Sequence, residues 1–363
     1  MAKNNIERYL TQMVESGASD IFMSVGAPPN FKIEGQTIAA EEPALDPAAM
    51  EDIVFAILTD AKRAQFETEL ETNLILNIAG VGRFRTNIYR QRGEIALVAR
   101  HVKQRIPSFE ELGLPELLEE FITEPRGLVL IVGAAGTGKT TTLAAMVDFR
   151  NQHQSGHILT VEDPVEFIHK HRKSVVDQRE VGVDTLSYAQ ALHSALREAP
   201  DVLIIGEIRD RNTMQQALHF AETGTLCLAT LHASNADQSI ERIVNFFPLE
   251  FQNRLLHDLS LQLKGIISQR LIEGQHGHRL PAVEIMRNTA HIAELIREGH
   301  ISDIKRVMRQ HGAHGIQTFD ESLYTLCLEG KINVRVALKY ADSPHDLRLR
   351  LNFDSEGFSD TTH

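Results

Sequence analysis

Eight consecutive residues, Gly133-Ala134-Ala135-Gly136-Thr137-Gly138-Lys139-Thr140, have the spacing G-x-x-x-x-G-K-[ST] of a loop that wraps phosphates. They follow the apolar run Leu128 to Val132, which suits a buried parallel strand, and they open a helical pattern that runs from Lys139 to Arg150. Glycines let the backbone curl until successive N–H groups face inward, and the helix N-terminus adds its positive dipole end. Lys139 is then placed to reach the β and γ phosphates, and the Thr140 hydroxyl to ligate Mg²⁺. ATP with Mg²⁺ is the expected ligand.

Three further apolar runs end in groups that could act on a bound triphosphate. Val202 to Ile205 ends in Gly206-Glu207, where a P-loop protein needs an acid for the Mg²⁺ shell and usually carries Asp. A second run ends in Thr160-Val161-Glu162-Asp163-Pro164-Val165-Glu166, placing Glu162 where the strand ends of an open α/β sheet gather their ligands. Either glutamate could polarise the attacking water. A third run ends in Thr230-Leu231-His232, and a histidine there could sense the γ-phosphate and pass its loss to the next helix. The pairs His169/His171, His276/His278 and His311/His314 lack a partnering Cys, and two separated ligands make a poor tetrahedral site. No metal is expected beyond the Mg²⁺ that arrives with nucleotide.

Positioning these groups takes a sheet with helices on both faces. The helical stretches Ser187 to Glu198 and Asn212 to Thr223 alternate with the strands, which predicts a doubly wound α/β core. After Ala236 the pattern reads as helices, over Asp237 to Phe247, Glu250 to Leu271, Ala290 to Gly299, Asp303 to Gln310 and Thr318 to Glu329. Ahead of this core, residues 1–104 read as a small α+β domain, and 105–126, with Pro107, Gly113, Pro115 and Pro125 around a short helix, as a linker. The core with its helical C-terminal part is expected over 127–345 and a flexible tail over 346–363, although the alternation Leu347-Arg348-Leu349-Arg350-Leu351 also fits an edge strand.

The 363 residues, 42% hydrophobic, are enough for two real cores. A formal charge of −12 argues against a protein built for non-specific nucleic-acid binding. No uncharged apolar run approaches the ~20 residues of a membrane span, and the polar N-terminus lacks an export pattern, so a cytoplasmic chain is expected. Cys227 and Cys327 are too few for a disulfide framework. Within the first domain the charge is split. Nine acids crowd residues 41–71, whereas Arg83, Arg85, Arg90, Arg92, Arg100, Lys103 and Arg105 face the single acid Glu94. Strict alternation from Arg83 to Tyr89 puts Arg83 and Arg85 on one pleat face and Phe84, Thr86 and Ile88 on the other.

The P-loop, the Glu162-Asp163-Pro164-Val165-Glu166 box, Gly206-Glu207-Ile208-Arg209-Asp210 and Thr230-Leu231-His232, in that order, resemble the secretion-ATPase superfamily, and within it the PilT/PilU family of type IV pilus retraction motors. Ala18-Ser19-Asp20, Arg83-Phe84-Arg85 and Gln178-Arg179-Glu180-Val181 extend the resemblance over nearly the whole chain. It implies a PAS-like N-terminal domain, a RecA-like P-loop ATPase domain, and homohexameric rings with nucleotide between domains. By the same resemblance Glu162 is the general base, Glu207 the Walker B acid and His232 the coupling histidine. Arg83 and Arg85 then become candidates to reach phosphate across a domain boundary, in competition with Arg179, Arg197 and Arg209. Ala293 replaces the first arginine of a PilT-type motif, and Gln317 to Asp320 and Ala341 to Arg350 are similar to PilU-like members. The implied partners are a PilT-like motor and an inner-membrane platform protein, with the ring docked at the cytoplasmic face of the membrane and no segment inserted.

Overall fold

Alternation of apolar and polar residues builds the first unit, and continuous apolar runs build the second. The computed structural model describes residues 2–33, 35–102, 105–275, 278–310 and 315–359. Lys103, His276, His311 and His314 lie outside the described residues.

The first unit runs from Met1 to Arg105 and includes Glu166–Ile168. Its elements are α1 (Ala2–Glu15), β1 (Asp20–Ser24), β2 (Asn30–Ile33), β3 (Gln36–Ala39), α2 (Pro47–Phe55), α3 (Asp60–Glu69), β4 (Glu71–Ile78), β5 (Gly82–Gln91) and β6 (Glu94–Val102). The strands form one antiparallel sheet in the order β3-β2-β1-β6-β5-β4. Arg92 and Gly93 join β5 to β6, both at positive φ, the conformation of a two-residue hairpin turn. Phe84, Ile88, Leu97 and Ala99 turn inward onto Leu10 and Met13 of α1 and Met50 and Val54 of α2. Arg83, Arg85 and Asn87 therefore lie on the other sheet face.

The second unit holds α4 (Phe109–Leu112), α5 (Leu117–Thr123), β7 (Gly127–Val132), α6 (Lys139–His153), β8 (Gly156–Glu162), β9 (Ser174–Glu180), α7 (Tyr188–Ala195), β10 (Val202–Ile205), α8 (Arg211–Glu222), β11 (Leu226–Leu231) and α9 (Ala236–Asn245). It continues with α10 (Leu249–Gln262), β12 (Leu263–Glu273), β13 (Arg279–Arg287), α11 (Ala290–Glu298), α12 (Ile304–Gln310), α13 (Phe319–Leu328), α14 (Val334–Tyr340) and α15 (Pro344–Ser359). Seven strands form one sheet in the order β13-β12-β7-β11-β10-β8-β9, and every neighbouring pair except β12–β13 is parallel. Both faces are covered: Val129, Ile131 and Ile204 pack toward Met146 and Val147 of α6, and Leu130, Leu203 and Ile205 toward α7 and α8. Because the strands are parallel, the chain leaves β7, β8, β10 and β11 at one common edge.

Three sequence expectations need correction. The helix expected over Glu250 to Leu271 stops at Gln262, and Leu263–Glu273 is strand β12, paired with an unanticipated β13. Leu255, Leu259, Leu263, Ile266 and Ile267 do keep helical spacing, but a strand flanked on both sides is apolar on both faces and hides its period. The linker expected over 105–126 carries α4 and α5, whose Leu118, Phe121 and Ile122 are buried in the core of the second unit. The tail expected from 346 is helical through Ser359: Leu347 and Leu351, one turn apart, are buried with Phe319, Leu323 and Ala337. No helix among the described residues is long and apolar enough to cross a membrane.

Candidate functional site

The loop between β7 and α6 brings Gly133–Thr140 to the common sheet edge. Two of its glycines are required by close approach as well as by φ. A Cβ on Gly133 would fall 2.5 Å from the Thr137 hydroxyl and 2.6 Å from the carbonyl of Gln269. One on Gly138, at φ +88°, would lie 2.9 Å from the Gln269 amide nitrogen. Gly138 is also the N-cap of α6 and offers no side-chain acceptor, so the first helical N–H groups are left for an anion. Lys139 is buried, with Nζ donating to the carbonyls of Gly133 (2.9 Å) and Ala134 (2.8 Å), and so stays beside the amides that the loop presents.

Glu162 ends β8, and Glu207 follows the next strand, β10. Gly206 keeps these ends close, because a Cβ there would sit 2.8 Å from the Tyr188 hydroxyl and 3.1 Å from Cα of Glu162. Tyr188 is thus a site residue that sequence reading missed. Burial, then the Asp163 carboxylate, holds its phenol protonated well above the usual range. The strand end carrying His232 is tied to that carrying Glu207: Ile208 N–H donates to the Thr230 carbonyl at 2.9 Å, and the Thr230 hydroxyl donates to the carbonyl of Gly206.

The two glutamates have different company. Glu207 meets His232 Nε2 at 3.0 Å through Oε1 and Arg209 Nε at 2.8 Å through Oε2, and Arg209 also faces Asp163 at 3.8 Å. Glu162 accepts neutral donors at Oε1, from the Thr160 hydroxyl at 2.7 Å and the Gln178 amide at 3.3 Å. Beside the P-loop opens a cavity of about 440 Å³, lined by Ala134, His232, Ala233, Ser234 and the polar residues Gln238, Glu241, Arg242 and Asn245 of α9.

Three of the five candidate arginines belong to the second unit and two to the first. Arg209 is at the site. Arg179 is engaged by Glu198 at 2.9 Å, and Arg197 lies exposed just before β10 begins, at the sheet edge opposite the P-loop. Arg83 and Arg85 are on the first unit's sheet, where Arg85 pairs across the strands with Arg100 and Arg100 with Asp20. The buried Asp20 carboxylate accepts from Arg100 Nε at 2.7 Å, so Arg100 joins the basic face that the sequence assigned to Arg83 and Arg85 alone.

Behind the site lie three buried polar residues that no motif announced. Gln269 of β12 accepts from the Thr142 hydroxyl of α6 at 2.7 Å. Its neighbour Ser268 donates to Glu284 of β13 at 2.9 Å, and Glu284 also accepts from Ala236 N–H, the first helical amide after the His232 loop, at 2.9 Å. Burial pushes the Glu284 carboxyl up to about 7, against the pull of those two donors.

The profile of the type II/IV secretion system proteins matches residues 1–325, through both units. The chain belongs to the type II/IV secretion system protein family. Two curated members from Pseudomonas aeruginosa are similar over almost their whole length. The type IV pilus ATPase PilU is 44% identical over 355 residues, 98% of this chain and 93% of that one. The retraction ATPase PilT is 40% identical over 342 residues, 94% of this chain and 99% of that one. Among solved structures, the pilus retraction motor PilT with bound ADP superposes with a TM-score of 0.87 at 39% identity, covering 96% of this chain and 98% of that one. The expected order, an α+β unit followed by a P-loop ATPase unit, is the fold of this secretion-family member.

Proposed function

We propose that this chain is an ATP-hydrolysing motor of the type IV pilus machine, of the PilU-like kind, that supports pilus retraction. The observation that carries the reading is the convergence of the P-loop, Glu162, Glu207 and His232 on one sheet edge, in a chain alike to PilU over 98% of its length. The greater identity to PilU than to PilT at similar coverage favours an accessory motor working beside a PilT-like one.

In this reading the amides of Gly133–Thr140 take the β and γ phosphates of ATP. Lys139 exchanges its bonds to the Gly133 and Ala134 carbonyls for phosphate oxygens. The residues fit Mg²⁺: an uncapped helix start for the phosphates, the Thr140 hydroxyl in the first turn of α6 and the Glu207 carboxylate after β10, at the same sheet edge. Mg²⁺ would supply charge neutralisation at the phosphates. Glu162, whose partners at Oε1 are neutral, takes the proton from the attacking water. Glu207, held between His232 and Arg209, links the phosphate end of the site to the loop that starts α9. Loss of the γ-phosphate then changes the balance of charge around His232, which is the step that moves α9. Arg83 and Arg85, with Arg100 beside them, serve the nucleotide of a neighbouring copy in a homohexameric ring on the cytoplasmic face of the membrane, where the platform protein of the machine is the docking partner.

Steady-state and single-turnover ATPase assays on the purified chain test this. Lys139→Ala is expected to abolish turnover, and Glu162→Gln to leave ATP bound but uncleaved, about 10²-fold or more below the parent. Replacing Arg83 and Arg85 together should lower the rate without loss of folding or nucleotide affinity. Parental turnover by Glu162→Gln would remove Glu162 as the base and pass the role to Glu207.

A further inference from the structure

Gln178, the first residue of the motif Gln178-Arg179-Glu180-Val181, has a defined place beside Glu162. Thr160 of β8 and Gln178 of β9 are directly opposite each other in the parallel register, and Glu162 lies two residues beyond Thr160 on the same pleat face. That face is the one on which Ile158 and Val176 pack with Met146 and Val147 of the P-loop helix. Thr160 is buried and Gln178 half-buried, so neither side chain is open to free rotation. The orientation of the Gln178 amide follows from its far side. Its Oε1 accepts the His169 backbone N–H at 2.8 Å, a group that can only donate, so its NH₂ is turned toward Glu162 Oε1 at 3.3 Å. Thr160 reaches the same oxygen at 2.7 Å.

We propose that Gln178, together with Thr160, is the positioning residue of Glu162: two donors hold one carboxylate oxygen and so orient the carboxylate that takes the proton. This rests on Glu162 being the base. In this role Gln178 acts through Glu162. A donor pair of this kind to an ionised group is worth on the order of ten-fold in a rate that depends on its orientation.

The test is a double-mutant cycle on the full-length chain, read by single-turnover ATP hydrolysis, with ATP affinity measured separately by fluorescent nucleotide. Gln178→Leu should lower the hydrolysis rate about ten-fold with ATP affinity within two-fold of the parent. Gln178→Met keeps the length of the side chain but has no donor, and should lose as much; it also serves if the leucine variant misfolds. In a Glu162→Gln background neither change should slow the residual reaction further. Equal losses in both backgrounds, a loss of ATP affinity that accounts for the whole effect, or parental rates for both Gln178 variants would overturn the proposal. Parental hydrolysis by Glu162→Gln alone would instead remove the underlying assignment of the base, a result the cycle reports independently.

Discussion

At the scale of single residues, the site separates two glutamates that look interchangeable in sequence. Glu162 and Glu207 both end apolar runs, but the strands place His232 and Arg209 around one and a hydroxyl and an amide around the other. The proposed roles, Glu162 as base and Glu207 as the acid for Mg²⁺, follow this difference in partners. The buried Glu284 carries a separate consequence. Its carboxyl is raised by burial from 4.5 to about 7, so the folded chain holds a proton there that the unfolded chain has already released. Stability from that proton is complete below the unfolded value and lost as pH rises through about 7. Glu284→Gln, which keeps an acceptor for Ala236 N–H, should narrow the difference in thermal unfolding midpoint between pH 6 and pH 8. An unchanged difference would show that Glu284 does not set it.

At the scale of elements, what was legible depended on whether a signal was local. The P-loop, the strand ends at Glu162, Glu207 and His232, and the two-faced β5 are short stretches whose own residues dictate their form. β12 was lost because its burial is decided by β7 and β13, which come from distant parts of the chain. Gln269, Glu284 and Tyr188 were invisible for the same reason: each matters through a partner that only the folded sheet supplies. α15 was hidden by Arg348 and Arg350, which give Leu347 and Leu351 the look of a strand while their spacing of four still places them on one helix face. The seam between β12 and α5 gives an element-scale prediction. A Cβ on Gly265 would lie 2.5 Å from the Phe121 ring and 2.7 Å from the Met286 carbonyl. Gly265→Ala should therefore cost about 1–3 kcal/mol in denaturant unfolding. A neutral result would mean that α5 is free to shift away from the sheet.

At the scale of the whole molecule, the net charge of −12 conceals the useful feature. Basic residues are gathered on one face of the first unit's sheet, and the structure adds Arg100, fixed by Asp20, to the pair Arg83 and Arg85. On the ring reading this face serves a neighbour's nucleotide, which gives a small α+β domain a part in the ATPase cycle of a larger one. Membership of the secretion family, and likeness to PilU and PilT along nearly the entire chain, support the proposal that this cycle serves pilus movement. The most direct measurement is pilus retraction in cells deleted for this gene and complemented with the parental chain or with Lys139→Ala, each with and without a PilT-like motor. If hydrolysis by this chain powers retraction, the parental gene restores it beside the PilT-like motor and Lys139→Ala, although expressed and assembled, does not. Full restoration by Lys139→Ala would contradict the account and leave the chain a scaffold for another motor.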